Sequence, residues 1–107
     1  MAHDATIVLV RNYLRSVAAN GLPVRFGVLY GSHVTGRTHE SSDIDLMVVS
    51  PRFDGERRRE DIDLLWTLTL ETDTRIEPIP CGERQWEEDD GTPIIEIARQ
   101  RGERVEV

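Results

Sequence analysis

Two apolar runs of strand length, residues 24–30 and 44–49, flank a polar segment that begins Gly31-Ser32 and ends at Asp43. This arrangement constrains the chain more than any other feature. Each run is the right size for a buried strand, and the segment between them is too polar to enter a core. Gly31 permits a tight turn with its backbone open, so N–H groups there can approach an anion. Ser32 adds a hydroxyl at the same corner. Asp43 and Asp45 open the second run. On a strand, positions i and i+2 face one side, roughly 6.6 Å apart along the chain. Two carboxylates so placed can converge on a hard divalent cation such as Mg²⁺.

The other elements follow from periodicity and punctuation. Asp4 is a candidate N-cap for a helix whose stripe is Ile7, Val10, Leu14, Val17 and Ala18, ended by Gly21 and Pro23. Val24, Phe26, Val28 and Tyr30 alternate onto one face of the first strand. Ser50-Pro51 stops the second. A short helix can begin after Ser32. Residues 56–71 read as a helix through Ile62, Leu65, Trp66 and Thr69, although Leu64, Trp66, Leu68 and Leu70 also alternate as a strand would. Residues 74–79 form a third strand, with Arg75, Glu77 and Ile79 on one face. Pro78 and Pro80 put it at an edge. Residues 83–88 suggest a short helix. Thr92-Pro93 starts a last helix that Gly102 closes, and the tail can add a strand.

Composition narrows the possibilities. The chain has 107 residues and a formal charge of −7, with no Lys, so its formal cations are all Arg. The length suits one domain, residues 1–107. An acidic chain is a poor partner for nucleic acid, because phosphate binding rests on Lys and Arg. Cys81 is single, which fits a reducing cytoplasm and excludes an intrachain disulfide. It reads as a partly buried bystander. No signal peptide or run of membrane length is present. The Arg57-Arg58-Arg59 run is flanked by acids and reads as a solvated helix face, with an anion-contacting patch as the alternative. Residues 87–90 read as a solvated acidic loop. His33 and His39 match no standard zinc spacing.

Gly-Ser, ten residues, then Asp-x-Asp resembles the signature of the DNA polymerase beta-like nucleotidyltransferase superfamily, and the chain is most similar to its minimal nucleotidyltransferases. With average residue usage the bare pattern arises by chance in on the order of one in a thousand chains of this length. The resemblance implies an α/β (α+β) fold: a small mixed β-sheet with helices packed on one face. It implies transfer of a nucleoside monophosphate, AMP by preference, from ATP to a hydroxyl. By the same resemblance Gly31, Ser32, Arg37 and Ser42 hold the nucleotide, and Asp43 and Asp45 bind Mg²⁺, with two ions expected. The superfamily's third acid lies on a later strand. Glu77 is the candidate for it, and Asp73, at that strand's start, is the other.

The resemblance further implies an antitoxin whose acceptor is a tyrosine of a HEPN-domain toxin partner. The chain is too short for the extra domain with which larger relatives hold an acceptor, so the acceptor must bring its own surface. A homo-oligomer is compatible with all of this. Two other readings stay open. One is a binding module that neutralises its partner by contact alone, and the other is a nucleotidyltransferase acting on a small molecule.

Overall fold

The computed structural model describes residues 2–31 and 43–107. Helix α1 (Ala2–Ala19) buries Val10, Tyr13, Leu14 and Val17 completely. It begins before Asp4, so Asp4 is not the cap; it sits in the first turn, where its charge meets the positive end of the helix dipole. The helix ends in a Schellman turn. Gly21 adopts φ +95°, the Gly21 N–H donates to the Ala18 carbonyl at 3.1 Å, and the Leu22 N–H donates to the Val17 carbonyl at 3.4 Å. Leu22 is then buried against the same core.

Strands β1 (Phe26–Tyr30) and β2 (Ile44–Ser50) pair antiparallel. β1 starts two residues later than the apolar run. Val24 lies outside it and packs with the α1 cluster, not with Phe26, Val28 and Tyr30. After β2, Ser50 accepts the Arg52 N–H and Pro51 opens a 3-10 turn, Pro51–Phe53. Helix α2 (Arg59–Glu71) resolves the helix-or-strand ambiguity of its segment: Leu65, Leu68 and Thr69 are buried, while Trp66 is about half exposed. Strand β3 (Ile76–Gly82) runs parallel to β2. Helices α3 (Glu83–Glu88) and α4 (Pro93–Arg101) follow, and β4 (Glu103–Val105) returns antiparallel to β1.

The sheet order is β3-β2-β1-β4. β3 is an edge strand, as its prolines require. Pro78 and Pro80 are two residues apart, so their missing N–H groups share one side, the side away from β2.

The two faces of the sheet are covered differently. The long helices α1 and α2 share one face, over Leu29, Ile44, Leu46, Val48, Ile76 and Val105. The expectation of helices on one face describes these two. The short helices α3 and α4 cover part of the other face, where Trp86, Ile94, Ile95 and Ala98 pack on Phe26, Val28, Met47, Val49, Ile79 and Cys81. β2 is therefore apolar on both sides and buried along its length except at Asp45. Among the described residues, no helix is long and apolar enough to cross a membrane.

Candidate active site

The register of the three strands lines up a row of polar side chains. Tyr30 of β1 lies opposite Asp45 of β2, and Asp45 lies opposite Glu77 of β3. Register partners point to the same face, and neighbouring strands are about 4.8 Å apart, so the row crosses one end of the sheet. It stands on the face that α3 and α4 partly cover, and Tyr30 belongs to the same cluster as Ile95 and Ala98 of α4. Asp43 precedes β2 by one residue and is exposed. It shares the side of Asp45, and its carboxyl interacts with that of Glu77.

Gly31 closes β1 at this corner with φ +83°. A Cβ added there would stand 2.5 Å from Asp45 Oδ2. Both the backbone conformation and the space thus require glycine, and the Asp45 carboxylate packs directly on the Gly31 backbone. The geometry explains why an apolar strand ends in glycine beside an acid.

Three carboxylates on one face repel one another. The Glu77 carboxyl is raised above its ordinary value of 4.5, first by its hydrogen bond with Asp43, then by burial, then by the charges of Asp43 and Asp45. Tyr30 is pushed up to about 12, by burial first and then by Asp45 and Glu77. Its hydroxyl is buried and has no hydrogen-bond partner among the described residues. The donor set suits a hard divalent cation, since it is made of carboxylate oxygens whose repulsion a cation would relieve. As they stand, among the described residues no three His, Cys, Asp or Glu side chains are grouped closely enough to hold an ion.

Asp73, the other candidate for the third acid, is engaged elsewhere. Its carboxylate takes Nε and Nη2 of Arg75 at 3.0 and 2.8 Å and the Arg75 N–H at 2.8 Å. Ser32, Arg37 and Ser42 lie outside the described residues, as do His33, His39 and the short helix expected after Ser32. The arginine run divides. Arg57 donates to Gln85 Oε1 at 2.6 Å, and Arg59 pairs loosely with Asp63 at 3.8 Å. In the acidic segment, Asp89 is no idle loop residue: it accepts the N–H groups of Gly91 and Thr92 and the Thr92 hydroxyl, which hold its carboxyl below the usual range. Cys81 is buried, and burial raises its thiol to about 11, which suits a core residue and not a nucleophile.

Tyr30 is the member of the row that sequence reading did not assign to the site. It read only as the last apolar position of a strand. The signal was its place immediately before Gly31, but its opposition to Asp45 depends on a pairing register that spans the whole polar segment.

A groove of about 580 Å³ lies away from the acids, between α1 and the end of α2, lined by Ala5, Val8, Leu9, Asn12 and Thr72. It contains no acid or base and contributes nothing to the polar row.

Comparisons with known proteins agree with the architecture. Among curated proteins, none matches the chain in sequence. A solved structure described as a toxin-antitoxin with AMP-PNP shares the fold, with a TM-score of 0.59 at 16% identity, covering 88% of this chain and 70% of that one. Residues 10–98 match the nucleotidyltransferase domain, a stretch that contains β1, β2, β3 and the whole polar row, and the chain belongs to that family.

Proposed function

We propose that the chain is a single minimal nucleotidyltransferase domain that moves a nucleoside monophosphate, AMP by preference, from a triphosphate to a hydroxyl. The observation that carries this reading is the register Asp45–Glu77, with Asp43 two residues before Asp45 on the same side. It gives the family's Asp-x-Asp pair a third carboxylate on a neighbouring strand. Asp43, Asp45 and Glu77 are the residues that would hold Mg²⁺. When bound, such ions neutralise the triphosphate and stabilise the pyrophosphate that leaves. The balance is simple. The acceptor oxygen bonds to the α-phosphorus, the bond from that phosphorus to the pyrophosphate oxygen breaks, and the acceptor releases its proton. Gly31 brings backbone close to the acids without a side chain in the way. Ser32 is assigned to the phosphates by the family pattern, Arg37 by its charge and its place just after Gly36, and Ser42 completes the proposed nucleotide-binding set.

The setting we propose is a toxin–antitoxin pair. The similar fold of a toxin-antitoxin protein solved with a nucleotide analogue supports it, and a tyrosine of a HEPN-domain partner is the proposed acceptor. Calorimetry with ATP and Mg²⁺ tests the assignment. The wild type should give binding heat, and Asp43→Ala with Asp45→Ala should lose most of it. Equal binding by both proteins would remove the metal assignment. Incubation with labelled ATP and the protein encoded by the neighbouring gene should label a tyrosine on that protein. If the double variant protects cells as well as wild type does, the protein acts by contact alone.

A further inference from the structure

Among the described residues the Tyr30 hydroxyl makes no hydrogen bond. Tyr30 is 7% exposed, and its oxygen is buried without a donor or acceptor. A buried hydroxyl left without a partner is destabilising, and Phe would fill the same space without that cost. Phe26 of the same strand lies on the same face and packs edge-on against Trp86 at 5.7 Å, so this face accommodates a plain ring. Yet the phenol stands at the one end of the face where the neighbours are acids, in register with Asp45 and, through it, Glu77.

Side chains on a strand stand roughly perpendicular to the sheet. Tyr is longer than Asp, so an extended Tyr30 side chain reaches further from the sheet than the Asp45 carboxyl does. A phenol in register with an acid can therefore lie beyond bonding reach of it. Above the carboxylates is where anything held by them must lie. A hydroxyl there can donate to an oxygen of a bound ligand while the ring remains in the core.

We propose that Tyr30 is a binding residue whose hydroxyl donates to an oxygen carried by the cation at the acidic row, either a phosphate oxygen of the nucleotide or a cation-bound water. The inference rests on the nucleotidyltransferase reading above. It adds that the end of β1 contributes a side chain to the site as well as the Gly31 turn.

The experiment is Tyr30→Phe, read by thermal unfolding without ligand and by calorimetric titration with Mg²⁺ alone and with Mg²⁺ plus ATP. Unfolding should occur at the same temperature as wild type or higher, because no bond is lost. Affinity for Mg-ATP should fall about fivefold to tenfold, the effect of one net hydrogen bond. A loss already present with Mg²⁺ alone identifies the water, and a loss seen only with ATP identifies the phosphate oxygen. Unchanged affinity in both titrations would overturn the inference and leave the nucleotidyltransferase reading intact. A lower unfolding temperature would overturn it too, by showing that the hydroxyl is bonded within the folded protein. A wild type that binds neither ligand would overturn the underlying reading and this inference with it.

Discussion

The protein has two tyrosines, both buried, one on each side of the sheet. Tyr13 of α1 is fully enclosed, and its hydroxyl donates to the Leu65 carbonyl of α2 at 2.7 Å. Tyr30 of β1 is buried nearly as well and donates to nothing. Burial raises the pKa of both, so both stay protonated at neutral pH. The difference lies in what surrounds them. Under α1 and α2 the interior is complete, and the tyrosine ties two helices together. At the acidic end of the other face, the same group stands in register with Asp45 and makes no hydrogen bond among the described residues. The contrast is between a face closed by two long helices and a face that ends in a row of acids.

The largest expected effect on stability falls on the completed face. Leu46 is wholly buried there, in the cluster that joins α1 and α2, and the Leu14 and Leu46 side chains meet over the backbone of Gly27. Leu46→Ala should cost about 2–5 kcal/mol, the range for a buried Leu that leaves a cavity. Urea unfolding measures it. Ile79→Ala, only partly buried on the other face, should cost clearly less, since solvent or local collapse fills a site near the surface. Equal losses would mean that the α3–α4 side is as tightly packed as the α1–α2 side, and the contrast between the faces would fail.

A smaller effect separates the tyrosines directly. Tyr13→Phe removes a buried hydrogen bond and should cost about 1 kcal/mol, seen as a lower unfolding midpoint. The same change at Tyr30 should cost nothing. If Tyr13→Phe were also neutral, the bond to Leu65 would contribute no net stability, and the two hydroxyls would differ in geometry but not in energy.

Much of this was legible from residues. The alternation in β1, the apolar run of β2, the proline-marked edge of β3, the Thr92-Pro93 start of α4 and the Asp-x-Asp pair are local features, and local chemistry dictates them. The two sides of the sheet were not legible. Periodicity tells which stripe of α4 is apolar, but not which face of the sheet receives it. Val24 misled for a related reason: it continues the apolar run, yet Pro23 and the Leu22 turn send it to the opposite cluster. Tyr30 was hidden because cross-strand partners depend on register, and a long polar connection does not fix register. Asp89 was hidden because a capping carboxylate and a solvated one look alike in sequence until the turn Asp89–Thr92 is formed.

Glu77 carries the smallest expected effect on stability and the sharpest separation of roles. Three carboxylates share one face, and the charges of Asp43 and Asp45 both bear on Glu77. Glu77→Gln keeps the shape and a hydrogen-bonding end group while removing one of the mutually repelling charges. In metal-free buffer the unfolding temperature should therefore hold or rise slightly, as relief of like-charge repulsion predicts. An acid kept for stability would show the reverse, because its replacement would lose a favourable contact. Binding of Mg-ATP should persist, since Asp43 and Asp45 remain, but transfer to the acceptor should fall sharply. Undiminished transfer would reject Glu77 as the third acid and turn attention to Asp73. Asp73, however, could join the row only by giving up the paired guanidinium of Arg75, so Asp73→Asn should then lower the unfolding temperature as well as the rate.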